Sequence, residues 1–323
     1  MKITFFAADG CFSSGITSLL DMFAIANMWQ TSLTGNRQPL FVTEIATVDG
    51  APALGSGCIQ LLAHRPLEAV DDSDFILLPP FIPLPEPSAE GRGVLNDWLI
   101  AQHQKRTPIA AMCTGVFLLA ETGLLNGRKA TTNWQFARKF RRTFPEVHLH
   151  TEHLVTEDDG LLCTGAATAN FNLGLRIIAR YGSDELASTC AKALLLDPNR
   201  ESQAPYYIFR REREHGDAEI EKAQRYLEDN FSGTIMIDEV AGHVRISPRH
   251  FKRRFKEATG SSPVQYLQMV RIEAARKKLE TTLSTIDEIT RQIGYEDSST
   301  FRRLFKQHTN LSPREYRDKF LRV

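Results

Sequence analysis

Paired cysteines are missing from this sequence. Its five cysteines (Cys11, Cys58, Cys113, Cys163 and Cys190) are scattered, odd in number and never spaced CxxC. That argues against a disulfide framework or a thiolate zinc site and predicts a reducing, cytoplasmic setting with no metal. Long apolar runs are missing too: none approaches the roughly 18–20 residues of a membrane span. No basic-apolar-small leader is visible, because Asp9 and polar residues interrupt the first apolar stretch. No membrane partner is therefore expected. Net charge is absent as well, with 39 Lys and Arg against 39 Asp and Glu. That alone excludes neither a nucleic-acid partner nor an enzyme.

What is present is unevenly placed. Residues 1–216 carry 19 Lys and Arg against 23 Asp and Glu, whereas residues 217–323 carry 20 against 16. A basic tail on an acidic body favours a nucleic-acid partner for the tail. The length suits about two domains. The pattern predicts residues 1–197 as the first, 198–216 as a linker and 217–323 as the second.

The first domain alternates strands and helices. Lys2–Ala8, Pro39–Thr47, Asp74–Pro80, Pro108–Met112 and Leu161–Ala166 read as strands. Gly15–Trp29 and Leu95–Lys105 read as helices. Such alternation predicts an α/β domain, a flavodoxin-like parallel sheet covered on both faces, with ligands at the carboxyl ends of the strands. Cys113 stands on a strand-to-helix turn, Met112-Cys113-Thr114-Gly115. A helix N-terminus lowers a thiol pKa and favours anions; alternatively the turn simply wants a small residue. Arg128–Trp134 (RKATTNW) and a basic helix, FARKFRRTFPEV, follow.

CTGVFLLAETGLLNGRKATTNW and TGAATANFNLGLRIIARYG resemble the class I glutamine-amidotransferase-like domain of the ThiJ/PfpI superfamily. More narrowly they resemble its transcription-factor branch, the GlxA-type regulators, over roughly residues 1–197. Cys113 matches the superfamily's elbow cysteine. The hydrolytic members follow it with histidine; here Thr114 follows. Asn133 stands where the regulators commonly have histidine, Gly15 where an acidic residue is usual, and Pro79-Pro80 where Gly-Gly is usual. A thiolate nucleophile needs a base or cation within reach. The resemblance, with these departures, implies a retained pocket without catalytic residues. It would bind a small-molecule effector near Cys113, Thr114 and Asn133, with no cofactor. His64, His103, His148, His150 and His153 read as surface histidines.

Asp197–His215 has two prolines and no apolar periodicity, and reads as the joint, with Tyr206, Tyr207 and Phe209 available to pack. Its run RREREH reads as a solvated helix start.

From Asp217 onward the pattern is helical, which predicts an all-α domain. Ser247-Pro248 would open a helix as N-cap and first helical residue. Ser262-Pro263-Val264-Gln265 and Ser312-Pro313-Arg314-Glu315 have capping-box spacing. An internal repeat stands out. Asp238-Glu239-Val240 recurs 49 positions on as Asp287-Glu288-Ile289; Phe251, Arg253 and Phe255 recur 50 on as Phe301, Arg303 and Phe305. The difference places one extra residue in the second turn. Phenylalanines four apart share a helix face, so the basic residues beside them face out. A short helix, a tight turn and a basic amphipathic helix make a helix-turn-helix unit, here duplicated about the long Pro263–Glu280 helix.

SPRHFKRRFKEATGSSPVQYL and IGYEDSSTFRRLFKQHTNLSPREYR resemble the AraC/XylS DNA-binding domain over essentially all of 217–323. The resemblance carries DNA contact onto Arg249, Lys252 and Arg253 in the first unit and onto Ser298, Ser299, Arg302 and Arg303 in the second. It further implies operator or promoter DNA as partner, RNA polymerase contact, activation and a homodimer. Arg245 stands where the first turn usually has glycine, and Asn310 where the second has glycine before Ser-Pro. The first turn is then altered, or Arg245 reaches a phosphate. The reading from both domains is a cytoplasmic, effector-controlled transcription regulator. Its rival is a DNA-tethered cysteine hydrolase or amidase using Cys113.

Overall fold

The structure, a computed structural model, describes residues 1–82, 92–209, 213 and 215–322. Most of the run RREREH lies outside the described residues. The chain divides into two compact units, Met1–Gln203 and Ala204–Val323. Among the described residues no helix is long and apolar enough to cross a membrane.

The first unit is built on a seven-stranded sheet. Its strands are β1 (Lys2–Phe6), β2 (Val42–Thr47), β3 (Arg65–Pro66), β4 (Phe75–Leu78), β5 (Ile109–Met112), β6 (Val155–Asp158) and β7 (Leu161–Thr164), in the order β6-β7-β5-β4-β1-β2-β3. Neighbours are parallel except the β6–β7 hairpin. All four residues of β4 and of β5 are buried. Successive side chains point to opposite faces, so both faces are covered, which is why these strands are apolar throughout.

Helix α1 (Ser13–Thr34) packs with α5 (Ala169–Tyr181) and α6 (Asp184–Ala193), while α2 (Arg92–Gln104) packs with α3 (Gly115–Glu121). A short basic helix, α4 (Ala137–Thr143), follows. The parallel α/β expectation holds for the body of the sheet. Two edge strands go beyond it: β3 is only two residues long, and β6 is antiparallel. The β6–β7 turn is Asp159-Gly160, both at positive φ, the Asp-Gly signature of a tight hairpin.

The second unit is helical: α7 (Ala218–Asp229), α8 (Ile237–His243), α9 (Pro248–Thr259), α10 (Pro263–Thr281), α11 (Ile286–Gln292), α12 (Ser298–Thr309) and α13 (Pro313–Phe320). It has two small cores. One gathers Val240, Phe251, Phe255, Tyr266 and Val270; the other gathers Ile272, Leu279, Ile289, Phe301, Phe305 and Tyr316. Helix α10 feeds both, Val270 to the first and Ile272 to the second, so one rod of about 28 Å joins the two halves. Its capping box, Ser262 with Gln265, and that of α13, Ser312 with Glu315, form as expected. Ser247 is the N-cap of α9, with Pro248 at the first turn, but its side chain makes no capping bond. The helix is opened there by proline's preset φ alone.

The joint is divided between the units. Arg200 donates to the Thr168 carbonyl at 2.9 Å, and Gln203 is buried in the first unit. In the second unit the Phe209 ring meets Tyr266 at 5.3 Å and Tyr206 meets Phe320 at 5.4 Å. Buried Arg276 donates to the carbonyls of Ala204 and Tyr207.

Candidate functional site: an elbow, a cavity and a repeated basic helix

Strand β5 delivers Cys113 to a backbone position with φ +53, a conformation costly for a non-glycine residue. Its N–H bonds the Thr164 carbonyl at 2.9 Å, and its carbonyl accepts from the Thr132 hydroxyl at 2.6 Å. The elbow is thus clamped between the end of β7 and the 131–133 segment. Cys113 is 3% exposed. Burial pushes its pKa up, and the bonds from Asn133 and Thr114 that favour the thiolate are weaker than that effect. The bond from Thr114 at the helix start does pull the thiol pKa down, but desolvation of the charged form outweighs it. Helix α3 is only seven residues long.

Cys113, Thr114 and Asn133 do come together. The Thr114 hydroxyl is already occupied: it donates to the Phe81 carbonyl and accepts the Phe81 N–H, both at 2.7 Å. Asn133 accepts the Gln135 N–H at 2.9 Å. Two of the departures noted in the sequence prove to be one feature. A Cβ on Gly15 would lie 2.6 Å from Pro80 Cδ, and one on Gly115 would meet the Pro79 carbonyl. The Pro79-Pro80 pair fills the space that an acidic side chain at position 15 would need beside the elbow.

A cavity of about 600 Å³ lies next to the elbow, at the carboxyl ends of β1 and β2. Phe6, Phe81, Leu95 and Leu118 give it apolar walls, while Asp9, Asp49 and Arg92 supply charge. Cys113, Thr114 and Asn133 are not among its lining residues. Thr114 touches the cavity only by holding Phe81. Asp9 accepts the N–H of Leu54, 45 residues on, with one carboxylate oxygen, and Asp49 that of Ala51, two residues on. Arg92 pairs with Glu121 at 3.0 Å. The sequence reading missed these residues, although the rule that ligands sit beyond strand carboxyl ends pointed to Asp9 and Asp49.

In the second unit Phe251, Phe255, Phe301 and Phe305 are completely buried. Arg249, Lys252 and Arg253 on α9, and Ser299, Arg302 and Arg303 on α12, are exposed; Ser298 is half-buried. The repeat extends to electrostatics. Lys252 pairs with Asp238 at 2.9 Å, and Arg302 with Asp287 at 3.4 Å. Asp287 also accepts from the Ser298 hydroxyl at 2.7 Å. These two acids, one on each first helix, hold side chains of the paired second helix. They stand in the repeated Asp-Glu signal, whose role in this contact went unread. Arg245 adopts φ +56, and Gly294, its counterpart in the second turn, φ +85. The first turn is therefore not altered; arginine takes the left-handed position that glycine holds in the other copy. Asn310 caps α12 at φ +56, as Gly260 caps α9 at φ +77.

Comparison with known proteins agrees with both units. The DJ-1/PfpI family matches residues 1–180, and a helix-turn-helix domain family matches residues 240–319. The HTH-type transcriptional regulator ArgR of Pseudomonas aeruginosa is 28% identical over 65% of this chain and 64% of its own length. The regulator CdhR of the same organism is 23% identical over 94% of this chain and 87% of its own. GlxA of Rhizobium meliloti is 29% identical over 62% and 63%. The chain spans 60–64% of the length of the first curated relatives it matches. An AraC family transcriptional regulator from Pseudomonas putida has a similar fold over 60% of this chain and 98% of its own, with a TM-score of 0.51 at 16% identity. With its elbow cysteine on a parallel α/β sheet and its duplicated helix-turn-helix unit, the chain belongs to the DJ-1/PfpI family and carries a C-terminal helix-turn-helix domain of the AraC type.

Proposed function

We propose that this protein is a cytoplasmic transcription regulator that reads operator DNA with α9 and α12 and answers to a small molecule bound in its first unit. The observation that carries the reading is the duplicated arrangement of exposed basic residues over fully buried phenylalanine pairs, on two helices joined by α10. Arg302 and Arg303 are suited to paired hydrogen bonds with guanine, and Ser298 and Ser299 to base edges or phosphate. Lys252, Arg249 and Arg253 add salt-dependent phosphate contacts. A homodimer that contacts RNA polymerase and activates transcription is the arrangement this architecture suits.

The effector site is proposed at the 600 Å³ cavity. Cys113, Thr114 and Asn133 form its supporting edge: the elbow fixes Thr114, and Thr114 fixes Phe81, which is a wall. Apolar walls with acids and an arginine suit a small polar metabolite with an apolar portion. An effector acts by binding two states of the protein with different affinity.

The hydrolase reading is weaker. Burial pushes the thiol pKa up, and Asn133 is no base. The deciding experiment is footprinting of the full chain on its own promoter region, beside amidase assays of wild type and Cys113→Ala. Protection lost in the double variant Arg302→Ala, Arg303→Ala, with no turnover, supports the regulator. Turnover that Cys113→Ala abolishes would support the enzyme.

A further inference from the structure

The turn at residues 150–153 gathers metal-ligating side chains that are not among the residues lining the cavity. His150, Glu152 and His153 have ligand atoms all within 4.8 Å of one another. His150 Nδ1 lies 3.2 Å from Glu152 Oε1, and His153 Nε2 lies 3.8 Å from the same oxygen. Donors at about 2.0–2.1 Å from a tetrahedral ion stand roughly 3.3–3.4 Å apart. The two separations from Glu152 bracket that edge and the third is no more than 4.8 Å, so side-chain rotations would place all three on one ion.

The backbone beneath them is already fixed. The His153 N–H closes the turn on the His150 carbonyl at 3.3 Å, and the His150 N–H bonds Ala130 at 2.8 Å. The Glu152 carbonyl accepts from the Ser202 hydroxyl at 2.8 Å and the Gln203 N–H at 3.1 Å. The His153 carbonyl accepts from the Thr131 hydroxyl at 2.9 Å and from the Gln203 side chain at 3.3 Å. A ligand set on a tied turn loses little freedom when it binds. All three side chains reach solvent, so an ion has an entry path and room for a water as fourth ligand.

We propose that His150, Glu152 and His153 form a binding site for a divalent transition-metal ion. Two imidazoles and one carboxylate suit zinc, nickel or copper and not the oxygen-preferring magnesium or calcium. The site stands apart from the proposed function. Its second consequence is mechanical. The turn holds residues 202 and 203, the last of the first unit, so a bound ion stiffens the point where the chain leaves it.

The test is titration of the full chain with Zn²⁺ alone, in competition with a chromophoric chelator, for wild type, the double variant His150→Ala, His153→Ala, and Glu152→Gln. One ion bound by wild type and at least about a hundredfold weaker binding by the double variant is the expected result. Glu152→Gln should fall between. Thermal melts without metal control for folding. Co²⁺ loading should give tetrahedral visible bands in wild type that the double variant lacks. Equal Zn²⁺ binding by wild type and double variant, or no stoichiometric binding by wild type, would overturn the site.

Discussion

Single residues divide into those whose role is visible in their neighbours along the chain and those whose role is not. Arg303 is of the first kind. It repeats Arg253 fifty positions on, lies on the exposed face of α12 and is backed by buried Phe301 and Phe305. Replacing it by alanine should weaken binding to operator DNA by about 1–3 kcal/mol and to unrelated DNA by less; equal losses in a titration of both DNAs would remove its base-reading role. Arg245 is of the second kind. Its identity suggests a disturbed turn, yet the backbone keeps the left-handed geometry of Gly294, because the packing of α8 on α9 dictates the path. Arg245→Gly should raise the unfolding free energy by about 0.5–1 kcal/mol, read from urea titration, by removing a Cβ from a strained position. Cys113 is also of the second kind: its place on a turn leaves an activated thiol and a plain small residue both open, and its burial is visible only in the fold.

At the scale of elements, the two first helices do more than pack. Asp238 and Asp287 reach across the turn and hold Lys252 and Arg302. Exposed pairs of this kind contribute about 0.2–1 kcal/mol, so Asp287→Ala should leave folding nearly unchanged. Binding to unrelated DNA should rise about two- to fivefold, as a cation is released and a negative charge removed. Discrimination for the operator should fall, since Ser298 loses its partner; unchanged affinities for both DNAs would deny the acids this part.

The edge of the sheet carries a second polar network. Glu44, 7% exposed, accepts from Arg65 and Thr4 and lies 3.3 Å from Lys2; Asp72 pairs with both cations. Burial pushes the Glu44 carboxyl up, but the bonds from Arg65 and Thr4 together hold it below its ordinary value; those from Lys2 and Arg65 bring Asp72 down to about 2. Carboxyls with depressed folded pKa values stabilise the fold above their unfolded values, about 4. That contribution fades as pH drops through the folded ones. Melting temperature should therefore fall as pH drops below about 4. Glu44→Gln should be less stable than wild type at neutral pH and flatter across that acid range. A parallel pH profile for the two would rule the network out.

For the molecule as a whole, the proposed effector site makes one demand. Ala51 is exposed at the cavity's rim, where a larger side chain enters the space without disturbing the core. Ala51→Phe should abolish the effector-dependent rise in melting temperature of the full chain while leaving promoter binding by α9 and α12 intact. A shift equal to that of wild type would place the effector elsewhere.

The sequence by itself determined the class of each half and the face that α9 and α12 each show. Hydrophobic period, capping residues and the fifty-residue repeat are local signals, and local geometry obeys them. The order of the strands, the antiparallel edge formed by β6 and the position of the cavity were decided only when strands distant in sequence paired. The Asp-Gly turn at 159–160 was a local signal for that edge, but it could not say which strand the hairpin would join. Tertiary structure also decided the surroundings of Cys113. Burial at the elbow beyond β5 raises its pKa more than Asn133 and Thr114 lower it, and Pro80 takes the room of a carboxylate that Gly15 cannot supply. Desolvation and excluded volume depend on everything around a residue, so no stretch of sequence around position 113 could have stated them.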